Sequence, residues 1–183
     1  SGVDLAGFDF AGATQTMTGR VLDVTDPRAL IAGPADPDRL RFLAPETLIE
    51  SDDPEIVEQA RRIVGGATDA RTKAERLVRE VNAMLDKKPT VSLPSAKEVL
   101  RTKVGDCNEH TALYVALARA AGLPARINVG LAMVRGAFYY HAWPEVWIDD
   151  GPSRGYWLPV DPTFNQFPAD ATHLRLLQGG LDK

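Results

Sequence analysis

Between about residue 54 and residue 121, apolar residues recur at intervals of three and four, which is typical of amphipathic α-helices. The first predicted helix follows the polar caps and proline of Ser51-Asp52-Asp53-Pro54 and ends at Gly65-Gly66. Ser95-Ala96-Lys97-Glu98 matches a capping box and predicts the start of a third helix. The four predicted helices are 54–64, about 68–86, a short helix that starts at 95 and ends before Gly105, and 107 to about 121.

Beyond Pro124 the pattern changes to the shorter period of β-strands. Predicted strands begin at 126, 137 and 155, and the first two are separated by a turn at Arg135-Gly136. Because short connections join them, consecutive strands should pair antiparallel. Pro144 lacks a ladder donor, so an edge position or a bulge is expected there. One face of the second strand then carries His141, Trp143, Glu145 and Trp147.

Residues 1–42 show the weakest pattern, with one or two short strands near Val21–Val24 and a loop rich in Asp and Pro. We interpret them as an N-terminal appendage or the end of a preceding domain. The remaining residues, 43–183, are expected to form one α+β domain, with the helices packed on an antiparallel sheet.

Composition narrows the function classes. The 183 residues carry a net charge of −4, which gives no electrostatic reason to expect nucleic acid as a partner. No apolar run approaches the roughly 18 residues that span a bilayer. A start without methionine indicates a piece of a longer protein, so other domains and an exported or membrane-anchored parent are compatible with the sequence, and the compartment stays open. A single cysteine excludes an intramolecular disulfide.

That cysteine, Cys107, opens the most apolar predicted helix. Gly105 permits a tight entry and Asp106 is a suitable N-cap, which places the thiol in the first helical turn. A helix N-terminus favours the thiolate and is expected to lower the pKa below the ordinary value of about 8.5. The alternative is that Cys107 is a small buried hydrophobic residue.

His141 and Asp161 complete a candidate constellation for nucleophilic catalysis. An imidazole beside a thiol can take its proton and later return it to a leaving amine, and a carboxylate on the far ring nitrogen fixes the tautomer. His141 lies 141 − 107 = 34 residues after Cys107, and Asp161 lies 161 − 141 = 20 residues further on. Only the fold can bring these three residues together.

Four blocks of sequence surround the three candidate residues in this order: Gly105-Asp106-Cys107-Asn108-Glu109-His110-Thr111, Ala120-Ala121-Gly122-Leu123-Pro124-Ala125-Arg126, His141-Ala142-Trp143-Pro144-Glu145-Val146-Trp147, and Val160-Asp161-Pro162-Thr163. With these blocks the chain resembles the transglutaminase-like superfamily of papain-like cysteine enzymes, over roughly residues 43–183. This resemblance implies that Cys107 is the nucleophile, His141 the general base and acid, and Asp161 the orienting carboxylate. It also implies a papain-like core of helices and antiparallel sheet.

Animal-type members resemble one another in a tryptophan upstream of the cysteine, and this chain has none there. Asn108 or Gln166 is therefore a candidate second oxyanion donor, and Glu109 is a candidate supporting residue. Tyr140 and Trp143 are candidate substrate-cleft residues, although aromatic side chains more often pack in the core. No EF-hand loop is present, and a zinc site using His110 with the triad residues is the weaker interpretation. We expect no cofactor.

These expectations lead to thiol-dependent acyl transfer from a peptide, isopeptide or glutamine-type amide of a protein or peptide substrate. Water as the acceptor gives a protease or amidase, and an amine gives cross-linking. Hydrolysis is favoured slightly, because no feature of the sequence marks an amine site. The alternative is a binding or assembly module that keeps the fold and the triad residues without activity.

Overall fold

The computed structural model describes residues 7–12, 14–89 and 95–179. The four predicted helices are confirmed within a few residues of their expected ends. None of the helices in these ranges is long and apolar enough to cross a bilayer. Their bounds are α1 Pro54–Val64, α2 Ala70–Met84, α3 Ala96–Thr102 and α4 Cys107–Ala120.

The helix ends follow from their capping residues, with one exception. Asp53 caps α1 by accepting a hydrogen bond from the backbone N–H of Glu55 at 2.9 Å, and Gly65 ends the helix at a φ of 52°. The capping box predicted at Ser95 is wrong. The Ser95 hydroxyl donates to the carboxylate of Glu50 and makes no capping bond to α3. A hydrogen bond to a residue distant in sequence therefore replaces the local capping bond.

Nine strands lie in the same described ranges, and five of them form the main sheet in the order β3-β8-β7-β6-β9. Every neighbouring pair in this sheet is antiparallel, which confirms the predicted pairing of the three consecutive central strands. The last strand was not predicted. The strand bounds are β1 Gln15–Thr18, β2 Val21–Val24, β3 Gly33–Pro34, β4 Asp86–Lys87, β5 Val104–Gly105, β6 Ala125–Val134, β7 Ala137–Asp149, β8 Arg154–Pro159 and β9 His173–Gly179.

Pro144 does not mark an edge strand, because β7 is paired with β6 on one side and with β8 on the other. The β7–β8 ladder begins at the pair Glu145 and Pro159, one residue after Pro144. The carbonyl of Pro144 accepts from Val160 N–H at 3.0 Å, so its ring nitrogen also faces the side where β8 ends. The position that lacks a donor therefore lies just beyond the end of the β7–β8 ladder.

Helix α4 occupies the centre of the core. Its buried residues include Leu113, Val115 and Leu117, each 0% exposed, and it packs against α1, α2, α3 and β7. A helix that is apolar on all sides is buried on all sides. This position fixes the N-terminus of α4, and with it Cys107, relative to the sheet.

The opposite face of the sheet carries the polar and aromatic residues expected there. Arg126 lies 3.9 Å from the centre of the Trp157 ring and makes an ion pair with Glu145 at 2.8 Å. Trp147 meets Trp157 edge to face, with ring centres 5.5 Å apart. These contacts bury the long side chains and leave their charges paired.

The N-terminal residues contact this sheet. The Gln15 side chain donates to the carbonyl of Arg175 on β9 at 3.0 Å and accepts from the N–H of the same residue. Strand β3 adds two residues to the edge of the sheet beside β8. The division of the chain into 1–42 and 43–183 stays a prediction.

Candidate active site

The N-terminus of α4 abuts the part of β7 that β8 does not cover. The carbonyl of Ala142 accepts a hydrogen bond from the Thr111 hydroxyl at 3.0 Å. The backbone N–H of Ala142 points to the same side and hydrogen-bonds the Cys107 sulfur. Cys107 therefore lies against the residue that follows His141 in the strand.

The predicted cap of α4 is confirmed and explains the spacing of the Gly105-Asp106-Cys107-Asn108-Glu109 motif. The Asp106 side chain accepts from Asn108 N–H at 3.0 Å, and the Glu109 carboxylate accepts from Asp106 N–H at 2.9 Å. Glu109 is 2% exposed and covers Gly105 so closely that a Cβ there would lie 2.2 Å from the Glu109 Cβ. Burial and the neighbouring Glu109 raise the pKa of Asp106.

The expected lowering of the thiol pKa is wrong for this structure. Burial raises the pKa of Cys107 to about 11, and the charges of Asp106 and Asp161 act in the same direction. The hydrogen bond from Ala142 lowers it, but it does not offset the burial. Cys107 therefore rests as a thiol and needs a base to become a nucleophile.

His141 is held by Asp161. Its Nε2 lies 2.8 Å from Asp161 Oδ2, and the two residues are 4% and 0% exposed. The other oxygen, Oδ1, accepts from the backbone N–H groups of Thr163 at 2.8 Å and Phe164 at 3.0 Å. Burial alone would raise the pKa of Asp161, but hydrogen bonds from His141 and His173 outweigh it and lower the pKa to about 2. Because this carboxylate can only accept, His141 Nε2 carries the proton, and Nδ1 is the nitrogen that can accept one.

Two aromatic rings restrict the imidazole of His141. Phe164 stacks on it with ring centres 4.6 Å apart and an angle of 3° between the planes. Trp143 lies in a similar orientation at 6.1 Å and 17°. The ring is thus fixed in orientation as well as in tautomer.

His173, which the sequence analysis did not single out, hydrogen-bonds the same carboxylate. Its Nε2 is 2.9 Å from Asp161 Oδ2, and its Nδ1 is 3.1 Å from the carbonyl oxygen of Asp170 and 3.2 Å from Asp170 Oδ1. Burial would lower the pKa of His173, but the hydrogen bond and charge of Asp161, with the charge of Asp170, raise it. The alternation of leucines after His173 was the signal that could have predicted strand β9.

Among the described residues, one group has the spacing of a metal site. His141, Asp161 and His173 each offer a ligand atom within 4.8 Å of the others. Both imidazole nitrogens lie at hydrogen-bond distance from the same oxygen, so we assign the cluster as a hydrogen-bond network. His110 is outside it: Nδ1 of this buried histidine donates to the Asp106 carbonyl at 2.7 Å, and burial lowers its pKa.

The remaining predicted residues lie in different environments. Tyr140 is 59% exposed, and its hydroxyl lies 3.5 Å from Asn108 Oδ1, beside Cys107. Trp143 is 2% exposed and stacks against the His141 ring. The Gln166 amide donates to Asp170 Oδ2 at 2.8 Å and its side-chain oxygen accepts from Asp170 N–H at 3.0 Å, so Asp170 holds the side chain through both groups. Phe164, 39% exposed, is the aromatic residue beside His141 that the sequence did not single out.

Comparison with known proteins identifies a family that matches this chain. A model of the transglutaminase-like superfamily matches residues 57–162, more than half of the chain. An uncharacterized protein of Mycobacterium tuberculosis is 26% identical over 140 residues, which cover 68% of this chain and 44% of that protein. The chain therefore spans less than half the length of the curated relatives it matches.

Two solved structures share the fold. A candidate cysteine protease from Cytophaga hutchinsonii superimposes with a TM-score of 0.61 and 24% identity, covering 80% of this chain and 47% of that one. The periplasmic domain of TgpA from Pseudomonas aeruginosa, bound to ethylmercury, gives a TM-score of 0.54 and 25% identity over 71% of this chain and 50% of that one. Both likenesses confirm the α+β papain-like core.

Proposed function

The chain belongs to the transglutaminase-like superfamily, and on that basis we propose that it is an enzyme whose Cys107 thiol attacks amide carbonyls of peptides or proteins. In this proposal Cys107 is the nucleophile, His141 the general base and acid, and Asp161 the orienting carboxylate. The observation that carries the proposal is the 2.8 Å hydrogen bond from His141 to the buried Asp161, next to the strand residue that binds the Cys107 sulfur.

The reaction proceeds through a thioester. The Cys107 sulfur bonds to the carbonyl carbon while its proton passes to Nδ1 of His141. The tetrahedral intermediate then expels the amine, which takes that proton from His141. Water, deprotonated by the same nitrogen, cleaves the thioester to a carboxylic acid and restores the thiol. An amine in place of water would form a new amide instead.

Hydrolysis is the primary form of this proposal. Tyr140, whose hydroxyl lies beside Asn108 and the thiol, is 59% exposed, which indicates access for water on that side of the nucleophile. A transferase must exclude water from its thioester. The exposed side therefore favours a protease or amidase over a cross-linking enzyme.

The developing oxyanion needs donors. We assign the backbone N–H of Cys107, in the first turn of α4, as one of them. Asn108 is the better candidate for the second, because the Gln166 amide already donates to Asp170.

A peptide assay tests the proposal. Wild type and Cys107→Ala are incubated with glutamine-containing peptides, with and without a fluorescent primary amine, and cleavage, ammonia release and amine incorporation are measured. We expect wild type to release ammonia or cleave the peptide, and Cys107→Ala to be inactive while keeping its circular dichroism spectrum. Turnover by Cys107→Ala, or a folded wild type inactive on a broad peptide library, would contradict the proposal and favour a binding module.

A further inference from the structure

Within the part of the chain that the structure describes, the two ring nitrogens of His173 contact only hydrogen-bond acceptors. Nε2 meets the carboxylate of Asp161 at 2.9 Å, and Nδ1 meets the carbonyl and carboxylate oxygens of Asp170 at 3.1 and 3.2 Å. A neutral imidazole has one N–H, whereas the protonated ring has two. Both sides of His173 can be bonded only when the ring is protonated.

We propose that His173 is a positively charged positioning residue that holds Asp161, so that the working unit has four members, Cys107, His141, Asp161 and His173. Its effect on the reaction rests on the function proposed above. The charge on His173 does not depend on that function and is tested separately.

The charge balance of the cluster explains what this fourth member does. Asp161 is fully buried, and a buried carboxylate is costly unless a cation matches it. His173 supplies that cation at 2.9 Å. Nothing in the cluster then requires a second proton on His141, which is free to take the proton of a thiol whose pKa is about 11. His173 thus allows Asp161 to orient His141 without also charging it.

The groups that surround His173 set its protonation. Asp161 follows β8, Asp170 lies in the loop before β9, and both carboxylates favour the charged ring. His141 on β7 has its ring centre 5.7 Å away. Arg175 and Glu145, which carry opposite charges, line a small cavity together with His173. The pKa of His173 is raised from 6.5 by the two carboxylates, despite burial.

A nitrogen-15 NMR titration tests the charge directly. The chain has three histidines, His110, His141 and His173, so three single His→Gln variants assign every imidazole signal. We expect both ring nitrogens of His173 to be protonated at pH 6.5 in wild type. Asp170→Asn, which removes one carboxylate at the exposed end of the network, should lower the titration midpoint of His173. A ring with one protonated nitrogen at pH 6.5 would overturn the inference.

The positioning role is tested with His173→Gln and His173→Leu. The glutamine can keep a donor to Asp161 without the charge, and the leucine keeps neither. We expect kcat/KM at pH 7 to fall about 10- to 100-fold in His173→Leu and less in His173→Gln. The acidic limb of the pH profile should move to higher pH in both variants, because the positive charge beside Asp161 is lost. A structural role would lower activity without moving that limb.

The outcomes separate this inference from the proposed function. If wild type has no activity, the proposed function fails, and the NMR titration still decides the charge on His173. If wild type is active and both variants keep its pH profile and rate, only the positioning role fails. Stoichiometric zinc in elemental analysis, lost in His173→Gln, would also overturn the inference, because a metal ion would replace the protons.

Discussion

Replacing Asp161 with asparagine should affect both stability and catalysis, because the carboxylate accepts four hydrogen bonds while fully buried. The difference between the ordinary pKa of 3.8 and the value of about 2 in the fold is worth about 2.5 kcal/mol, at 1.36 kcal/mol per pKa unit. At pH 7 we expect Asp161→Asn to lose about this much free energy of unfolding. The melting temperature should fall by about 5–10 °C.

The pH dependence of unfolding tests whether the negative charge of Asp161 is the source of this stability. Because the folded pKa of Asp161 is lowered, its stabilising contribution is present above about pH 4 and is lost as the pH falls through about 2. Urea unfolding of wild type and Asp161→Asn should therefore converge between pH 4 and 2. Asp150→Asn, at an exposed turn, is the matched control and should change little. An equal gap at pH 7 and pH 2 would refute this reasoning.

The catalytic effect of the same substitution should be larger. The asparagine amide places N–H groups against His141 or against the backbone donors that now bind Oδ1. His141 then loses the acceptor that fixes its tautomer, and Nδ1 can no longer be kept free to accept the thiol proton. We expect kcat to fall by about 10³- to 10⁴-fold. An unchanged rate would remove Asp161 from the proposed triad.

Two further substitutions test the surroundings of the site. Gly105→Ala should destabilise the protein by about 1–3 kcal/mol in urea unfolding, because the new Cβ meets Glu109. The control Gly66→Ala places its Cβ in open space and should cost less than about 1 kcal/mol. Equal effects of the two substitutions would contradict the cap geometry. Phe164→Ala should lower kcat/KM about 2- to 10-fold, because it removes the ring that stacks on His141. The control Phe164→Tyr keeps the ring and should retain the activity. A native rate in the alanine variant would show that the stacking is not needed.

The helices could be predicted because local residues determine their ends. Asp53 and Asp106 bind backbone N–H groups within one turn, so their side chains act as caps in any context that permits a helix. Ser95 shows the limit of this reasoning, because its hydroxyl donates to Glu50, which lies 45 residues away in sequence. A local sequence pattern carries no information on such a distant acceptor.

The candidate site was predictable where residue types restrict the chemistry. His141 and Asp161 were expected together, and the structure brings them to 2.8 Å. His173 could not be paired in advance, because its contact with Asp161 depends on β9 lying beside β6. The thiol pKa of Cys107 depends on how deeply the helix N-terminus is buried, which the spacing of residues does not determine.

The most direct test of the account is the rate at which iodoacetamide alkylates Cys107 as a function of pH, in wild type and in His141→Ala. Cys107 is the only cysteine, so the reaction reports a single site. At pH 7, a thiol with a pKa of about 11 is ionised to about one part in 10⁴. We predict that wild type reacts at least about 10-fold faster at pH 7 than His141→Ala, because His141 takes the proton of the attacking thiol, and that the rate of the variant rises steadily with pH. Equal rates in the two proteins would contradict the pairing of Cys107 with His141.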